Sequence, residues 1–171
     1  MNLLHKQSVS ELDAAGVLDR MVAKELPGRR GLAAWQALLR AQATLIRQLD
    51  RDLLEETGFA LADFDVLAQL AVAGGELRMT ELADRALISR SGMTRRVARL
   101  VEAGLVRRAN AAVDARGVVV ALTKAGVVRL SETAPAHMRG IKTLFVEQLD
   151  DQELAVLERA LEKVTLDCTF G

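Results

Sequence analysis

The chain has 171 residues, with 23 basic and 23 acidic side chains and a single cysteine. This length suits one domain with a sizeable core, one cysteine cannot form an internal disulfide, and no apolar run approaches the roughly 18 residues that span a bilayer. We therefore expect a globular cytoplasmic protein without a membrane partner. The net charge of zero argues at first against nucleic acid as a partner.

Two helices are predicted in the N-terminal part of the chain. Apolar residues at helical spacing predict the first over residues 8–26, followed by a linker that extends to Gly31. The second is predicted over residues 32–57, with Gly58 as its C-cap, because apolar residues from Trp35 onward recur along one face at three- and four-residue steps. The apolar stripe along this second helix is wider than packing against one neighbouring helix requires. This favours a helix shared with another subunit, and a long core helix is the alternative.

Three shorter helices are predicted next, over residues 63–72, 80–86 and 90–103. Thr80 and Ser89 are suitable N-caps for the second and third of them, because their hydroxyls can accept a hydrogen bond from a free backbone N–H. The last two helices are joined by a tight turn. This arrangement is typical of a helix-turn-helix.

The rest of the chain completes a mainly α protein with a small β-hairpin, an α+β fold. Residues 105–110 and 117–122 predict the two strands of the hairpin, with a polar loop between them. A helix from Lys124 is expected to break or kink at Pro135, because proline lacks the backbone donor. A final helix over residues 150–167 carries another one-sided apolar stripe.

The charges are unevenly distributed along the chain. Residues 78–124 contain ten basic and four acidic side chains, a net charge of +6, and the remainder therefore carries −6. A segregated basic segment is typical of a surface that binds a polyanion. The alternative is that the arginines merely solvate helix faces.

The helix predicted over residues 90–103 favours DNA as that polyanion. Its apolar residues share one face, and the opposite face combines small polar and basic side chains: Ser91, Thr94, Arg95 and Ala98, flanked by Arg90, Arg96 and Arg99. Such a face fits the major groove, where arginine can donate two hydrogen bonds to guanine. The hairpin would carry Arg116 at its tip, and a cation there can enter a narrow minor groove.

The stretch LADRALISRSGMTRRVARLVEAGLVRR, followed by DARGVVVALT, resembles the MarR family of bacterial winged-helix regulators. Its wing signature is matched by Asp114, Arg116, Leu122 and Thr123. The resemblance extends over residues 35–161, and the chain is most similar to actinobacterial members.

The resemblance implies a winged helix-turn-helix domain flanked by N- and C-terminal dimerisation helices. The winged domain would span residues 59–123, and the dimerisation region residues 31–58 and 124–171. Residues 1–30 would form an N-terminal extension helix and its linker. The implied protein is a homodimeric repressor that binds a pseudo-palindromic operator in double-stranded DNA and is released by a small aromatic or anionic effector.

The resemblance also implies roles for individual residues. The recognition helix would begin at Ser89, and a phosphate would bind at Thr80. The implied DNA contacts are Thr80, Ser89, Arg90, Ser91, Thr94, Arg95, Arg96, Asp114 and Arg116. Ala98 and Gly117 replace an aspartate and an arginine of many relatives. An alternative is therefore a small-molecule-binding or protein-interaction module that keeps the fold and no longer reads DNA.

Five residues are candidates for the effector site that the resemblance implies: Trp35, Phe64, Asp65, Arg95 and His137. Plain structural roles are the alternatives for three of them. The tryptophan can be a core residue, Asp65 can form a salt bridge with an arginine, and His137 can be a residue of the kink.

No catalytic site is predicted. Two histidines and one distant cysteine give no cluster with the spacing of metal ligands. No glycine-rich phosphate loop, Ser-His-Asp arrangement or paired-carboxylate site stands out. We expect neither enzymatic activity, nor a metal, nor a cofactor.

Overall fold

A computed structural model describes residues 14–26, 28–110 and 118–169. Two predicted wing residues, Asp114 and Arg116, lie outside these ranges. The chain divides into two compact units, residues 1–44 and 45–171. Within the described ranges, no helix has the length and apolar character needed to cross a membrane.

The first unit contains helix α1, Ala14–Glu25, and the first part of helix α2, Arg29–Thr57. The predicted linker through Gly31 is wrong, because α2 begins immediately after Gly28. Gly28 has a φ of +134°, which only glycine adopts readily, so this residue turns the chain at the start of α2. The Arg29 guanidinium also forms an exposed ion pair with Asp19 of α1, at 3.2 Å.

The second unit contains the remaining helices and a small sheet. Its elements after α2 are α3 (Leu61–Val72), β1 (Glu76–Arg78), α4 (Met79–Arg85), α5 (Arg90–Glu102), β2 (Val106–Asn110), β3 (Val118–Leu122), α6 (Lys124–Leu144) and α7 (Asp151–Thr169). A short 3₁₀ turn, Val146–Gln148, separates α6 from α7. The predicted fold class, mainly α with a β-hairpin wing, is confirmed.

The sheet has three antiparallel strands in the order β1–β3–β2. Val106 of β2 pairs with Leu122, and Leu77 of β1 pairs with Val120. The sequence did not predict β1, because a three-residue strand is too short to show the alternation typical of a strand. Its partner β3 also follows only after two helices and another strand, so the pairing depends on tertiary structure.

Because of strand β1, α4 also starts at a different residue from the one predicted. Thr80 was predicted as the N-cap, but Arg78 occupies that position and α4 begins at Met79. Arg78 is the last residue paired with β3, so the helix starts directly after the strand. Glu81 stabilises this start, because its carboxylate accepts a hydrogen bond from the Arg78 backbone N–H at 3.3 Å.

One hydrophobic core joins α3, α4, α5 and the sheet. Its largest fully buried apolar side chains are Val66, Leu67, Leu70, Leu82, Met93, Val97, Val106 and Val120. Burying a side chain of this size stabilises the fold by roughly 1.5–3 kcal/mol. The core therefore fixes which face of each of these helices remains exposed.

Helix α6 continues across Pro135, and the predicted break is absent. Proline removes the helical hydrogen bond to the carbonyl oxygen of Ser131, and both Pro135 and Ser131 are exposed, so this loss falls on the solvent side of the helix. Two residues earlier, the fully buried Thr133 donates its hydroxyl hydrogen to the Arg129 carbonyl oxygen at 2.8 Å. Both residues therefore remain compatible with one continuous helix.

The junction between the wing and α6 is closely packed. The Thr123 hydroxyl donates to the Gly104 carbonyl oxygen at 2.7 Å and accepts from the Gly126 N–H at 3.0 Å. Gly126 is buried, and a Cβ atom there would lie 2.1 Å from the Leu105 carbonyl oxygen. The close approach of these two backbones therefore requires glycine.

We predict that Gly126→Ala lowers the free energy of unfolding by about 2 kcal/mol or more, because backbone must move to admit the methyl group. Gly31→Ala is the matched control. No atom lies within 4 Å of its added Cβ, and alanine in a helix is favoured over glycine by up to about 1 kcal/mol. Chemical denaturation at a fixed protein concentration measures both changes. Equal stability of the two variants would contradict the packing argument.

Candidate nucleic-acid interface

Helix α5 has one buried face and one polar face. The Ser89 hydroxyl accepts a hydrogen bond from the Gly92 N–H at 3.2 Å, which confirms the predicted N-cap. Met93 and Val97 are completely buried. The opposite face remains exposed and carries Arg90, Ser91, Thr94 and Arg95.

The hydroxyl groups of this face can still accept hydrogen bonds. Thr94 donates its hydroxyl hydrogen to the Arg90 carbonyl oxygen at 2.9 Å, which fixes the rotamer and leaves oxygen lone pairs free. Thr80 is also exposed and lies in the first turn of α4. These residues therefore present donors and acceptors from two helix N-terminal regions.

Arg96 differs from the other predicted DNA contacts. Its guanidinium Nη1 lies 2.7 Å from Oδ1 of Asp63 on α3, and the two side chains are only 22% and 18% exposed. Arg99, one turn further along α5, reaches the same Asp63 oxygen at 3.4 Å and is 62% exposed. One carboxylate therefore holds two consecutive turns of the helix.

Two further contacts, one to α5 and one to α3, were not predicted from the sequence. Arg108 of β2 donates to the Thr94 carbonyl oxygen at 3.1 Å, which links the wing to the middle of the helix. Asp50 of α2 accepts a hydrogen bond from the Leu61 N–H at 2.8 Å and so caps α3 from another helix. A sequence signal existed only for Arg108, which lies in the basic segment.

The structure brings together three of the five effector candidates. The Phe64 and His137 ring centroids are 4.6 Å apart and tilted by 49°. Asp65, one residue after the phenylalanine, influences the protonation of His137. Arg95 lies on the exposed face of α5, and Trp35 belongs to the first unit and is 56% exposed.

The ionisation of this cluster is governed first by burial. Burial lowers the pKa of His137, and the nearby Asp65 charge partly opposes this change. Burial raises the pKa of Asp65, and the charges of His137 and Arg96 oppose it. Among the described residues, His137 Nδ1 and Arg96 Nε have no hydrogen-bond partner. The cluster therefore combines an aromatic ring with an imidazole nitrogen, His137 Nδ1, that is buried without a hydrogen-bond partner.

A cavity of about 250 Å³ lies between α2 and α6 beside His137. Its apolar wall includes Leu49, Leu53 and Leu144, and its polar wall includes Asp52, Glu56, Arg139 and Thr143. Glu56 and Arg139 form an ion pair across it. No group of three or more potential metal-ligating side chains occurs in the described part of the chain.

We predict that His137 makes the protein less stable as the pH falls from about 7.5 to about 5.5. The unfolded chain binds a proton at histidine near pH 6.5, about the ordinary pKa, whereas the folded chain resists it, so acid favours unfolding. His137→Gln should weaken this pH dependence, and Asp65→Asn should strengthen it by removing the opposing charge. Denaturation at both pH values measures the effect. An identical pH dependence in wild type and His137→Gln would contradict it.

Comparisons with known proteins agree with this geometry. A profile of the MarR family matches residues 57–117. AbsC, a MarR family transcriptional regulator from Streptomyces coelicolor, superposes with a TM-score of 0.77 and 28% identity, over 86% of this chain and 100% of its own. A Bacillus cereus HTH-type transcriptional regulator is 26% identical over 78% of this chain and 88% of its own.

A second Streptomyces coelicolor structure is more similar in sequence. Sco3205, a MarR family transcriptional regulator solved in complex with DNA, superposes with a TM-score of 0.74 and 32% identity. The match covers 81% of this chain and 90% of Sco3205. The winged fold, the polar face of α5 and this degree of identity support the same conclusion. The chain belongs to the MarR family of transcriptional regulators.

Proposed function

We propose that the chain is a homodimeric repressor that binds a pseudo-palindromic operator in double-stranded DNA and is released by a small effector. The observation that carries this proposal is the exposed polar and basic face of α5, opposite a completely buried apolar face. A repressor of this kind acts on DNA in the bacterial cytoplasm and needs neither enzymatic activity nor a cofactor.

The proposed DNA contacts divide into three groups: base edges, phosphates and the wing. Ser91, Thr94 and Arg95 meet base edges or nearby phosphates in the major groove, because they are exposed and follow the capped start of the helix. Arg90 and Thr80 contact phosphates, which positions the helix on the duplex. Asp114 and Arg116 belong to the wing, with the arginine in the minor groove.

Exposed apolar side chains support the dimer. On α7, Val156 and Val164 are each 56% exposed and lie on the helix that carries the predicted C-terminal stripe. On α2, Trp35 and Ile46 are 56% and 49% exposed. Such side chains on two helices predicted to dimerise favour burial in a second copy, because large exposed apolar surfaces are unfavourable in water.

The Phe64–His137 cluster and the neighbouring cavity support an effector site. About 150 Å³ of apolar cavity suffices for one benzene ring, so a space of about 250 Å³ admits a substituted ring. The proposed effector is therefore a small aromatic or anionic molecule, to which His137, a residue of the cavity lining, supplies a polar contact, and Asp65 of the neighbouring cluster is a further candidate. Trp35 and Arg95 are further candidates from the sequence.

The effector part can be tested with benzoate and phenol, which represent anionic and neutral aromatic ligands. We expect at least one of them to raise the melting temperature and to release bound DNA, and both effects should weaken in His137→Ala. Release without any change in melting temperature, or with an undiminished effect in His137→Ala, would contradict this site.

DNA recognition can be tested by selecting sequences from a random duplex library with the wild-type protein. An enriched pseudo-palindrome, bound with an affinity that falls as salt rises, would support the proposal. Failure to enrich any sequence, with a dimer that still binds small aromatic molecules, would support the alternative module that no longer reads DNA. Analytical ultracentrifugation measures the dimer independently of DNA.

We predict that Arg116→Ala weakens binding to the selected duplex by about tenfold, since one minor-groove or phosphate contact is lost, and lowers the salt slope by about 1. Gel-shift titrations at several salt concentrations measure both quantities, and ultracentrifugation should show an unchanged dimer. An unchanged affinity at moderate salt would show that the wing is not engaged.

A further inference from the structure

We propose that Asp63 is a positioning residue for DNA recognition: it holds Arg96 and Arg99 to α3 and so fixes the placement of the recognition helix α5. The proposal rests on the DNA-binding function proposed above. It assigns Arg96 to the support of α5, although the sequence suggested a direct contact with DNA.

The geometry of the ion pair distinguishes Arg96 from its neighbours on α5. Its guanidinium Nη1 is 2.7 Å from the Asp63 carboxylate, and about four-fifths of each side chain is buried. A guanidinium that leaves this site for a DNA phosphate would leave a largely buried carboxylate with only the longer contact to the exposed Arg99, which is costly. The exposed Arg95 faces no such cost, since its side chain lies on the open face of the helix.

The same carboxylate oxygen also constrains the next turn of α5. Arg99 reaches it at 3.4 Å, three residues after Arg96 and therefore on nearly the same side of the helix. Two donors on consecutive turns that share one acceptor restrict both rotation of α5 about its axis and translation along it. A single contact would leave one of these movements free.

Apolar packing alone cannot supply this restriction. Met93 and Val97 choose which face of α5 is buried, but hydrophobic burial is non-directional and tolerates small shifts and tilts. Hydrogen bonds to base edges need the side chains placed within roughly half an ångström. Charge-assisted hydrogen bonds are short and directional, so the Asp63 contacts provide what the core does not.

Asp63 acts together with a contact on another side of the helix. Arg108 of β2 donates to the Thr94 carbonyl oxygen at 3.1 Å, and Thr94 lies about 200° around the helix from Arg96. Directional bonds therefore hold α5 on nearly opposite sides. The capped start of α3 at Asp50 fixes the helix that carries the carboxylate.

The experiment compares specific with non-specific binding. The specific probe is the duplex selected by the wild-type protein, and the non-specific probe is a scrambled duplex of equal length. Asp63→Asn keeps the side-chain shape and removes the charge. We expect the specific affinity to fall about tenfold, as for one lost base contact, while non-specific affinity is maintained or rises because one negative charge is gone.

Asp84→Asn is the matched control. Asp84 lies exposed on α4 and forms no ion pair with any residue in the described ranges, so the variant makes the same charge change without releasing an arginine. We expect it to leave the ratio of specific to non-specific affinity unchanged. An equal loss of this ratio in Asp84→Asn would overturn the proposal.

Arg96→Met separates support from direct contact. If the ion pair positions α5, Arg96→Met shows the same loss of specific affinity as Asp63→Asn, and the salt dependence of its non-specific binding is unchanged. The double variant with Asp63→Asn then loses no more specific affinity than either single variant. If Arg96 itself binds a phosphate, the non-specific slope falls by about 1, and the proposal is wrong.

Folding is measured alongside, by the melting temperature of each variant. If Asp63→Asn loses specific and non-specific affinity in parallel, Asp63 has only a structural role. If both affinities rise in parallel, the variant acts only through its change of charge. Either result overturns the proposal. If Asp63→Asn does not fold, Asp63→Leu with Arg96→Met replaces the pair by apolar side chains, which proteins often tolerate. Wild-type specificity in that variant would overturn the proposal. A library that yields no selected duplex would overturn the DNA-binding function and this role together.

Discussion

The burial of one side of α5 is the constraint on which the candidate interface depends. Met93 and Val97 are fully buried and Leu100 is 2% exposed, in the same core as α3, α4 and the sheet. At roughly 1.5–3 kcal/mol for each such side chain, no other orientation of this short helix competes. The polar residues Ser91 and Arg95 are exposed because the core occupies the opposite face.

The contacts around this core have different structural roles. Apolar packing selects the face of α5, the Ser89 cap defines where the helix begins, and the Asp63 and Arg108 bonds restrict its placement. Asp65, two residues after Asp63, has a second neighbour in addition to Arg96. The charges of His137 on α6 and Arg96 on α5 both act on its carboxylate, so the acidic groups of α3 interact with two helices.

Local signals in the sequence predicted much of this arrangement. The helical phase of residues 90–101, the Ser89 cap and the two wing strands depend on neighbours within a few residues, and each is confirmed. The errors at Thr80 and in the predicted linker arose where one added contact, strand β1 or the turn at Gly28, shifted a helix start. The Asp63–Arg96 pair joins residues 33 positions apart, and helical periodicity alone cannot show which acid meets which arginine. The sequence suggested Asp65 as the salt-bridging acid, whereas the short ion pair is formed by Asp63.

Two backbone hydrogen bonds hold the base of the wing. The Leu122 N–H donates to the Gly75 carbonyl oxygen at 2.9 Å, and the Thr123 N–H donates to Leu105 at 3.1 Å. The strand register is therefore set at the end of the hairpin nearest the core. Because loop closure costs grow slowly with length, the length of chain that joins the two strands can change with little effect on this register. The placement of α5 therefore does not depend on the length of the hairpin connection.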